Sequence, residues 1–405
     1  MTRTAVIVDA VRTPLGGRNG AVSGWHPCDL GGEVLAALAR RGDLDPVLVE
    51  EVVVGCATPM GDQGLNLGRN AVLAAGWPES VPGTTLDRQG TASLEAVAKA
   101  AAAVVAGTHE VVVAAGIEVI TTTPPGAWVT PGSRPFGPRL VARYASAGGL
   151  VPPGVAAERV AERYGLGRDD LDGHAAESQR RAASARRLGH FTQEILAVDA
   201  RQWDRERRQV VEVGRSVGAD ECIREGITTD DLAGCKPSFE PGGRITAGNS
   251  APAADGAAAL LVMSEGRAAD LGHEPLARVV ATAGAAVDPL TMLTGVIPAT
   301  TAVLRRAALG VADLSRLEVD ESFAVVPLAW AVEHGADPAL VNADGGAIAL
   351  GHPPGAAGAR ALTTLVHGLA NNGGGYGLVT VGGIGGVATA MVVEAAPRVD
   401  QHHSL

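Results

Sequence analysis

Short apolar runs alternate with segments of helical spacing over the first third of the chain. The runs at 5–8, 51–54 and 111–115 are each followed by polar residues or glycine. Such short runs predict buried strands. The spacing of Leu, Val and Ala at 30–40 and the Ala-rich stretch at 94–106 predict helices. Strands that alternate with helices predict a mainly parallel sheet that is covered on both faces.

The pattern changes in the middle third of the chain. Residues 121–150 carry several Pro and Gly and show little periodicity, whereas 155–164 and 168–188 have helical spacing. A charged stretch follows at 203–208. We interpret this part as a polar insertion over the sheet, rich in helices and loops, that ends near Gly248.

Regular elements return in the last third. Strands are predicted at 257–263, 276–282, 377–381 and 389–393, and helices at 296–308, at 323–334 and from the Gly-rich segment 345–358 to about Ala370. The segments VVVAAGIE and GLVTVGGIGG echo each other, because each follows a buried helix of small residues and runs into glycine. This weak internal repeat predicts two similarly folded halves.

These patterns together predict an α/β chain with two similar halves, a polar insertion that ends near Gly248 and a frayed tail (395–405).

Charge and cysteine content narrow the classes of function. The net charge of −11 argues against nucleic acid as a partner, although a local basic patch could still hold a phosphorylated cofactor. The four cysteines form no C-x-x-C pair, so neither a metal site nor a disulfide is predicted. The N-terminal apolar run is broken by Asp9 and no stretch approaches the ~20 residues of a membrane span. We therefore expect a cytoplasmic protein.

Four segments carry candidate chemistry. They are LDRQGTASLEAVA (86–98), ITAGNSAPAADGAAA (245–259), VDESFA (319–324) and GGAIALGHPPGAAGAR (345–360). In order and spacing they resemble the thiolase family, and the resemblance extends from VDAVRTP near the N-terminus to Glu394. It implies a five-layered α/β/α/β/α fold with two similar core halves and an inserted loop domain. The N-terminal half would then comprise 1–120 with 249–275, the inserted loop domain 121–248 and the C-terminal half 276–394. The resemblance also implies chemistry on 3-ketoacyl thioesters and no permanently bound cofactor.

The residues at the two reactive positions differ from those of the family. In that family one Cys at a helix N-terminus takes the acyl group and a second Cys moves protons. The resemblance places these positions at Gly90 and Gly382. A helix N-terminus activates a thiol, but glycine leaves nothing to acylate. Thr91 and Ser93 carry nearby hydroxyls. They lie one and three residues further along the predicted helix, so their side chains are expected to point in other directions than that of position 90. An ordinary thiolase cycle is therefore not expected.

His352 and Asp320 are the remaining candidate catalytic side chains. His352 lies in an intact GHPPGAAGAR segment, and we interpret it as a general base; the alternative is a histidine packed in a Gly-rich turn. Asp320 stands where the family has Asn, and as an anion it would oppose an enolate by ~4 kcal/mol at ~4 Å and an effective dielectric of ~20. Asp320 either pairs with His352, raises its pKa and orients its ring, or is structural. The N–H groups of Gly90 and Ile384 are predicted to hold the carbonyl oxygen.

The predicted substrate is an acyl thioester of CoA or of a carrier protein. Arg224 matches a family Arg that packs on the CoA adenine, and Ser250 and Ala251 lie in the family's pantetheine-binding segment. Three hypotheses follow: an acyltransferase or C–C bond-forming or -cleaving enzyme without a cysteine acyl-enzyme, a non-catalytic subunit that pairs with a Cys-containing homologue, and a thioester-binding protein. A homodimer, or a heterodimer with such a homologue, is expected.

Overall fold

Ten strands form one sheet in the computed structural model, which describes residues 3–130 and 132–397. The strands of the described chain, including a separate hairpin (β6 and β7), are β1 (Ala5–Arg12), β2 (Gly16–Gly17), β3 (Glu51–Gly55), β4 (Gly83–Leu86), β5 (Val111–Glu118), β6 (Val198–Asp204), β7 (Gln209–Val217), β8 (Ala254–Ser264), β9 (Ala277–Ala286), β10 (Leu314–Val319), β11 (Gly375–Gly382) and β12 (Val387–Ala395).

Helices connect and cover these strands. They are α1 (Pro27–Arg41), α2 (Leu67–Ala74), α3 (Ala92–Ala106), α4 (Pro138–Tyr144), α5 (Pro153–Tyr164), α6 (Arg168–Leu188), α7 (Thr229–Ala233), α8 (Glu265–Asp270), α9 (Val296–Ala307), α10 (Val325–His334), α11 (Ala347–Leu350) and α12 (Ala357–Asn371). Across the described residues, none of these helices is both long and apolar enough to cross a bilayer.

The sheet consists of two halves with the same strand order. The first half runs β1-β8-β5-β3, with β4 added at its edge, and the second runs β9-β12-β11-β10. In each half the first two pairings are antiparallel and the third is parallel. The halves meet where β1 pairs with β9 at Val6 and Ile7. The predicted pair of similar halves is confirmed, and the echoing segments lie on the equivalent strands β5 and β11.

Three layers of helices enclose the two halves of the sheet. Helices α1 and α2 cover the outer face of the first half, α9 and α10 cover that of the second, and α3 and α12 lie between the two. Helices α3 and α12 approach closely, because a Cβ on Gly358 would lie 2.5 Å from the Cβ of Leu94. The five-layered α/β/α/β/α prediction is therefore confirmed.

The prediction of a mainly parallel sheet is wrong. Within the described chain, only the pairs β3–β4, β3–β5 and β10–β11 are parallel, and the other pairings of the large sheet are antiparallel. Helix layers on both faces bury strands such as β1, β5 and β8 throughout, and such buried apolar runs are typical of parallel sheets. The residues therefore reveal burial on both faces but not the direction of the strands.

Sequence patterns also missed some elements. The charged stretch at 203–208, in the part predicted to be rich in helices and loops, covers the end of β6 and the turn of the β6–β7 hairpin. Almost every residue of β7 is exposed, so it shows no apolar alternation. Strands β4 and β10 and helix α2 were also missed. The four-part division of the chain stays a prediction, and residues 398–405 of the predicted tail lie outside the described residues.

The central layer generates a test of stability. Leu94 on α3 is fully buried, whereas the side chain of Val105 on the same helix is 52% exposed. We expect Leu94→Ala to lower the free energy of unfolding by about 2–5 kcal/mol, because it leaves a cavity between α3 and α12. Val105→Ala, the control, is expected to change it by less than about 0.5 kcal/mol. Urea unfolding at a fixed protein concentration measures both; equal effects would contradict the buried central layer.

Candidate active site

A cavity of about 310 Å³ lies between the two core halves and the inserted segment. Seven of the eight predicted site residues line it: Gly90, Ser250, Ala251, Asp320, His352, Gly382 and Ile384. The eighth, Arg224, lies on an exposed segment after β7, where its backbone N–H donates to Gln179 Oε1 at 2.7 Å. Arg224 does not line the cavity, and its role at a CoA adenine stays a prediction.

The residues at the centre of the site lie at the ends of helices and strands. Gly90 lies in the 3-10 turn that leads into α3, Asp320 follows β10, and Gly382 ends β11. His352 follows α11, and its backbone is fixed because its N–H donates to Pro252 O at 2.9 Å. Each residue is therefore placed by a different part of the fold.

The Asp320 carboxylate is held by the backbone. Its Oδ1 accepts the N–H of Ser322 at 2.8 Å and its Oδ2 accepts the N–H of Gly382 at 3.0 Å. Its own N–H donates to Thr380 O at 2.9 Å. Asp320 is 8% exposed. Both side-chain oxygens of Asp320 therefore act as acceptors of backbone N–H groups.

His352 does not form the predicted hydrogen-bonded pair with Asp320. Within the described chain no hydrogen bond or ion pair joins the two side chains, because both Asp320 oxygens are turned to backbone N–H groups. Burial lowers the pKa of His352; the charge of Asp320 opposes this shift and that of Arg360 adds to it. The charge of Asp320 thus acts on the pKa of His352 in the predicted direction, but desolvation outweighs it and the net shift is downward.

Gly90, Gly382 and Asp320 form one contact set. A Cβ on Gly90 would lie 2.6 Å from the carbonyl oxygen of Gly382, which is closer than such atoms approach. A Cβ on Gly382 would lie 3.2 Å from Asp320 Oδ2. The end of β11 therefore lies so close to the N-terminus of α3 that position 90 has room only for glycine, which lacks a Cβ.

Two backbone donors also face the cavity. Gly90 and Ile384 both line it, and neither N–H donates a hydrogen bond within the part of the chain that the structure describes. Gly90 also lies at the positive end of the α3 dipole. These groups have the free donors that a carbonyl oxyanion requires, and their use in that role stays a prediction.

Sequence reasoning missed the apolar wall of the cavity. Trp128, Met292, Phe239 and Phe323 line it, and the two Phe rings meet edge to face with centroids 6.0 Å apart. A Cβ on Gly154 would lie 2.3 Å from the ring of Phe239, so this ring rests on Gly154. The chain has only four Phe. Two of the four line this cavity, so the scarcity of Phe in the sequence was the signal that could have pointed to the apolar wall.

The cysteines do not replace a nucleophile in the cavity, since none of the four lines it. Burial raises the pKa of Cys56, raises that of Cys222 to about 12 and raises that of Cys28 to about 11. Such thiols stay protonated near neutral pH. Among the described residues, one group has metal-ligand spacing, His26, Cys28 and Asp29 at the N-terminus of α1, and it lies outside the cavity.

The close contact at Gly90 generates a prediction. Gly90→Ala is expected to lower the free energy of unfolding by about 1–3 kcal/mol, because its Cβ forces the Gly382 carbonyl away. Gly173→Ala in the interior of α6 is the control, because no atom lies within 4 Å of its Cβ position. It should raise stability by about 0.5–1 kcal/mol. Thermal and urea unfolding compare the two; a stabilised Gly90→Ala would show that the contact is absent.

Comparison with known proteins agrees with this architecture. The family models for the N-terminal and C-terminal thiolase domains match residues 5–266 and 273–395. The chain is 39% identical to a steroid 3-ketoacyl-CoA thiolase of Mycobacterium tuberculosis, over 96% of this chain and 94% of that protein. It is 38% identical to an acetyl-CoA acetyltransferase of Thiocystis violacea, over 97% and 100%. The crystal structure of the Bacillus anthracis acetyl-CoA acetyltransferase superposes with a TM-score of 0.87 at 34% identity, covering 97% of this chain and 99% of that one. The chain belongs to the thiolase family.

Proposed function

We propose that this chain is an acyltransferase that moves an acyl group from a thioester directly to an acceptor, without a cysteine acyl-enzyme. The observation that carries the proposal is the cavity itself. His352, Gly90 and Ile384 all line it, and the N–H groups of Gly90 and Ile384 donate no hydrogen bond among the described residues, while glycine stands at both positions where the resemblance places the cysteines. The relatives are named for acyl transfer on CoA thioesters, which supports an acyl thioester as the substrate here.

The chemistry needs a base and an oxyanion site. Burial lowers the pKa of His352, so its imidazole is neutral near pH 7 and can take a proton from the acceptor. The acceptor attacks the thioester carbon, and the N–H groups of Gly90 and Ile384 stabilise the developing oxyanion. The carbon–sulfur bond then breaks, and the leaving thiolate takes a proton back from His352.

The thioester carrier is CoA or a carrier protein in this proposal, and the protein needs no permanently bound cofactor. Ser250 and Ala251 line the cavity, as a pantetheine-binding segment requires. The Ser250 hydroxyl is already engaged, because it donates to Thr246 O at 2.7 Å. Ala251 contributes no polar group. Backbone and apolar contacts are therefore expected to hold the pantetheine arm.

A non-catalytic subunit is the second candidate function. Strand β4 (Gly83–Leu86) lies at the edge of the first half of the sheet, and an edge strand presents unpaired backbone groups to a partner. This favours a homodimer, or a heterodimer with a Cys-containing homologue. In that arrangement the cavity would shape the complex, and His352 would have no chemical role.

The first functional prediction concerns covalent intermediates. Intact-mass analysis after incubation with acetyl-CoA is expected to show no acetyl adduct, because no activated nucleophile lines the cavity. Thiolysis of acetoacetyl-CoA, followed by loss of its absorbance, should stay far below the ~10 s⁻¹ that is typical of enzymes. An adduct mapped to Thr91 or Ser93, or thiolysis at that typical rate, would overturn the proposal.

The second functional prediction concerns His352. His352→Ala is expected to lower acyl transfer by about 10²–10⁴-fold, the usual contribution of a general base. Because the pKa of His352 is lowered, the acid limb of kcat/KM should lie below pH ~6.5, the ordinary value for His.

Asp320→Asn should move that limb to still lower pH, because it removes the charge that raises the pKa of His352. His109→Ala is the control, because this half-buried histidine does not line the cavity. If a complex with a Cys-containing homologue keeps full activity when it carries folded His352→Ala protein, the subunit candidate is favoured.

A further inference from the structure

The charged side chains that line the cavity indicate which chemical class of acceptor it binds. Asp320 is the one acidic side chain that lines it, and no Lys or Arg does so among the described residues. Its two oxygens accept one N–H each, from Ser322 and Gly382. An ionised carboxylate has about four acceptor positions, so about two remain for a ligand.

One cationic group outside the lining acts on His352. It is Arg360, whose guanidinium lies 3.7 Å from the buried Glu318. Burial raises the pKa of Glu318 to about 7, so this carboxyl offsets the cation in part near neutral pH. The neutral His352 adds no positive charge. The N-terminus of α3 is partly positive, and its free N–H at Gly90 is assigned to the carbonyl oxygen. Among the described residues that line the cavity, Asp320 is therefore the one acidic group, and no Lys or Arg opposes it.

The rings of the wall support the same ligand class. Trp128, Phe239 and Phe323 line the cavity together with Asp320. Aromatic faces attract cations through the ring quadrupole. A carboxylate that shares an apolar cavity with three aromatic rings suits an ammonium group attached to an apolar chain. The same carboxylate disfavours a thiolate or a carboxylate acceptor, because like charges repel.

We propose that the acceptor is a primary amine, bound as its ammonium form against Asp320, and that the product is an amide. This inference rests on the proposed acyl transfer and names its substrate class. The overall reaction is RCO–SR′ + R″NH3+ → RCO–NHR″ + R′SH + H+.

Each step of this reaction balances. His352 takes one proton from the ammonium, and the freed lone pair of nitrogen attacks the carbonyl carbon. The carbonyl π pair moves to oxygen, where the N–H groups of Gly90 and Ile384 hold it. The carbon–sulfur bond breaks with its pair on sulfur, and nitrogen loses a second proton. One proton ends on the thiolate, and the other passes from His352 to solvent.

Three isosteric probes test the charge preference without any turnover. Hexylammonium, hexan-1-ol and hexanoate are titrated into the full-length protein by calorimetry. We expect hexylammonium to bind at least ten-fold more tightly than hexan-1-ol, and hexanoate to bind most weakly. This order needs no variant, so it remains informative if substitutions at Asp320 fail to fold. Equal affinities, or a preference for hexanoate, would overturn the inference.

A pair of matched variants assigns the preference to Asp320. Asp320→Asn is expected to abolish the ten-fold difference between hexylammonium and hexan-1-ol. Asp337→Asn is the control, because Asp337 is exposed and also accepts the N–H two residues on, from Ala339 at 2.9 Å. The control should keep the wild-type preference. An unchanged preference in a folded Asp320→Asn protein would place the cation elsewhere and overturn the inference.

A turnover experiment distinguishes failure of the amine inference from failure of the proposed acyl transfer on which it rests. Acetyl-CoA with hexylamine is expected to give N-hexylacetamide, detected by mass spectrometry, and hexan-1-ol should give at least ten-fold less ester. Ammonium binding that depends on Asp320, with no acyl transfer to any acceptor, would overturn the proposed function but support the cation site. Acyl transfer to the alcohol or to water without an ammonium preference would overturn the amine inference and leave the proposed function intact.

Discussion

The backbone hydrogen bonds to Asp320 hold the candidate site together. Through Oδ2 the carboxylate fixes the N–H of Gly382 at the end of β11, and through Oδ1 it fixes Ser322 after β10. The carbonyl oxygen of Gly382 in turn lies against Gly90 at the start of α3. One side chain thus links the second core half to the first. Because buried acceptors without partners are costly, the carboxylate and the two backbone segments depend on each other.

A second buried carboxylate, that of Glu118 in the first core half, also joins separate backbone segments by hydrogen bonds. Glu118 at the end of β5 accepts the N–H groups of Ala57 and Gly355, at 2.7 and 2.8 Å. Burial raises the pKa of Glu118, and these hydrogen bonds oppose the shift. Gly355 belongs to the segment that carries His352, so Glu118 fixes the base to the N-terminal half. Asp320 and Glu118 therefore brace the cavity from opposite halves, and neither needs to contact His352.

The sequence identified the halves, the layers and most of the site, because buried apolar runs and short motifs are local signals. It did not identify strand direction, since burial on both faces gives β1, β5 and β11 the same uniform composition. It also missed the exposed strand β7. The relation of Asp320 to His352 could not be predicted either. Their proximity follows from the fold, but the N–H groups that take the carboxylate oxygens belong to Ser322 and Gly382.

These arrangements bear on whether the cavity is a remnant or a working site. Positions 90 and 382 both carry glycine, so no side chain at either position separates the end of β11 from the start of α3. Here the backbone at Gly382 closes on Gly90, and the carboxylate of Asp320 satisfies the N–H of Gly382. A buried charge without a partner costs several kcal/mol in folded proteins. Random loss of function is therefore not expected to produce a buried carboxylate whose two oxygens are both hydrogen-bonded. We propose that the aromatic-walled cavity beside Asp320 serves a cationic ligand, and such a ligand would favour an enzyme over a silent partner.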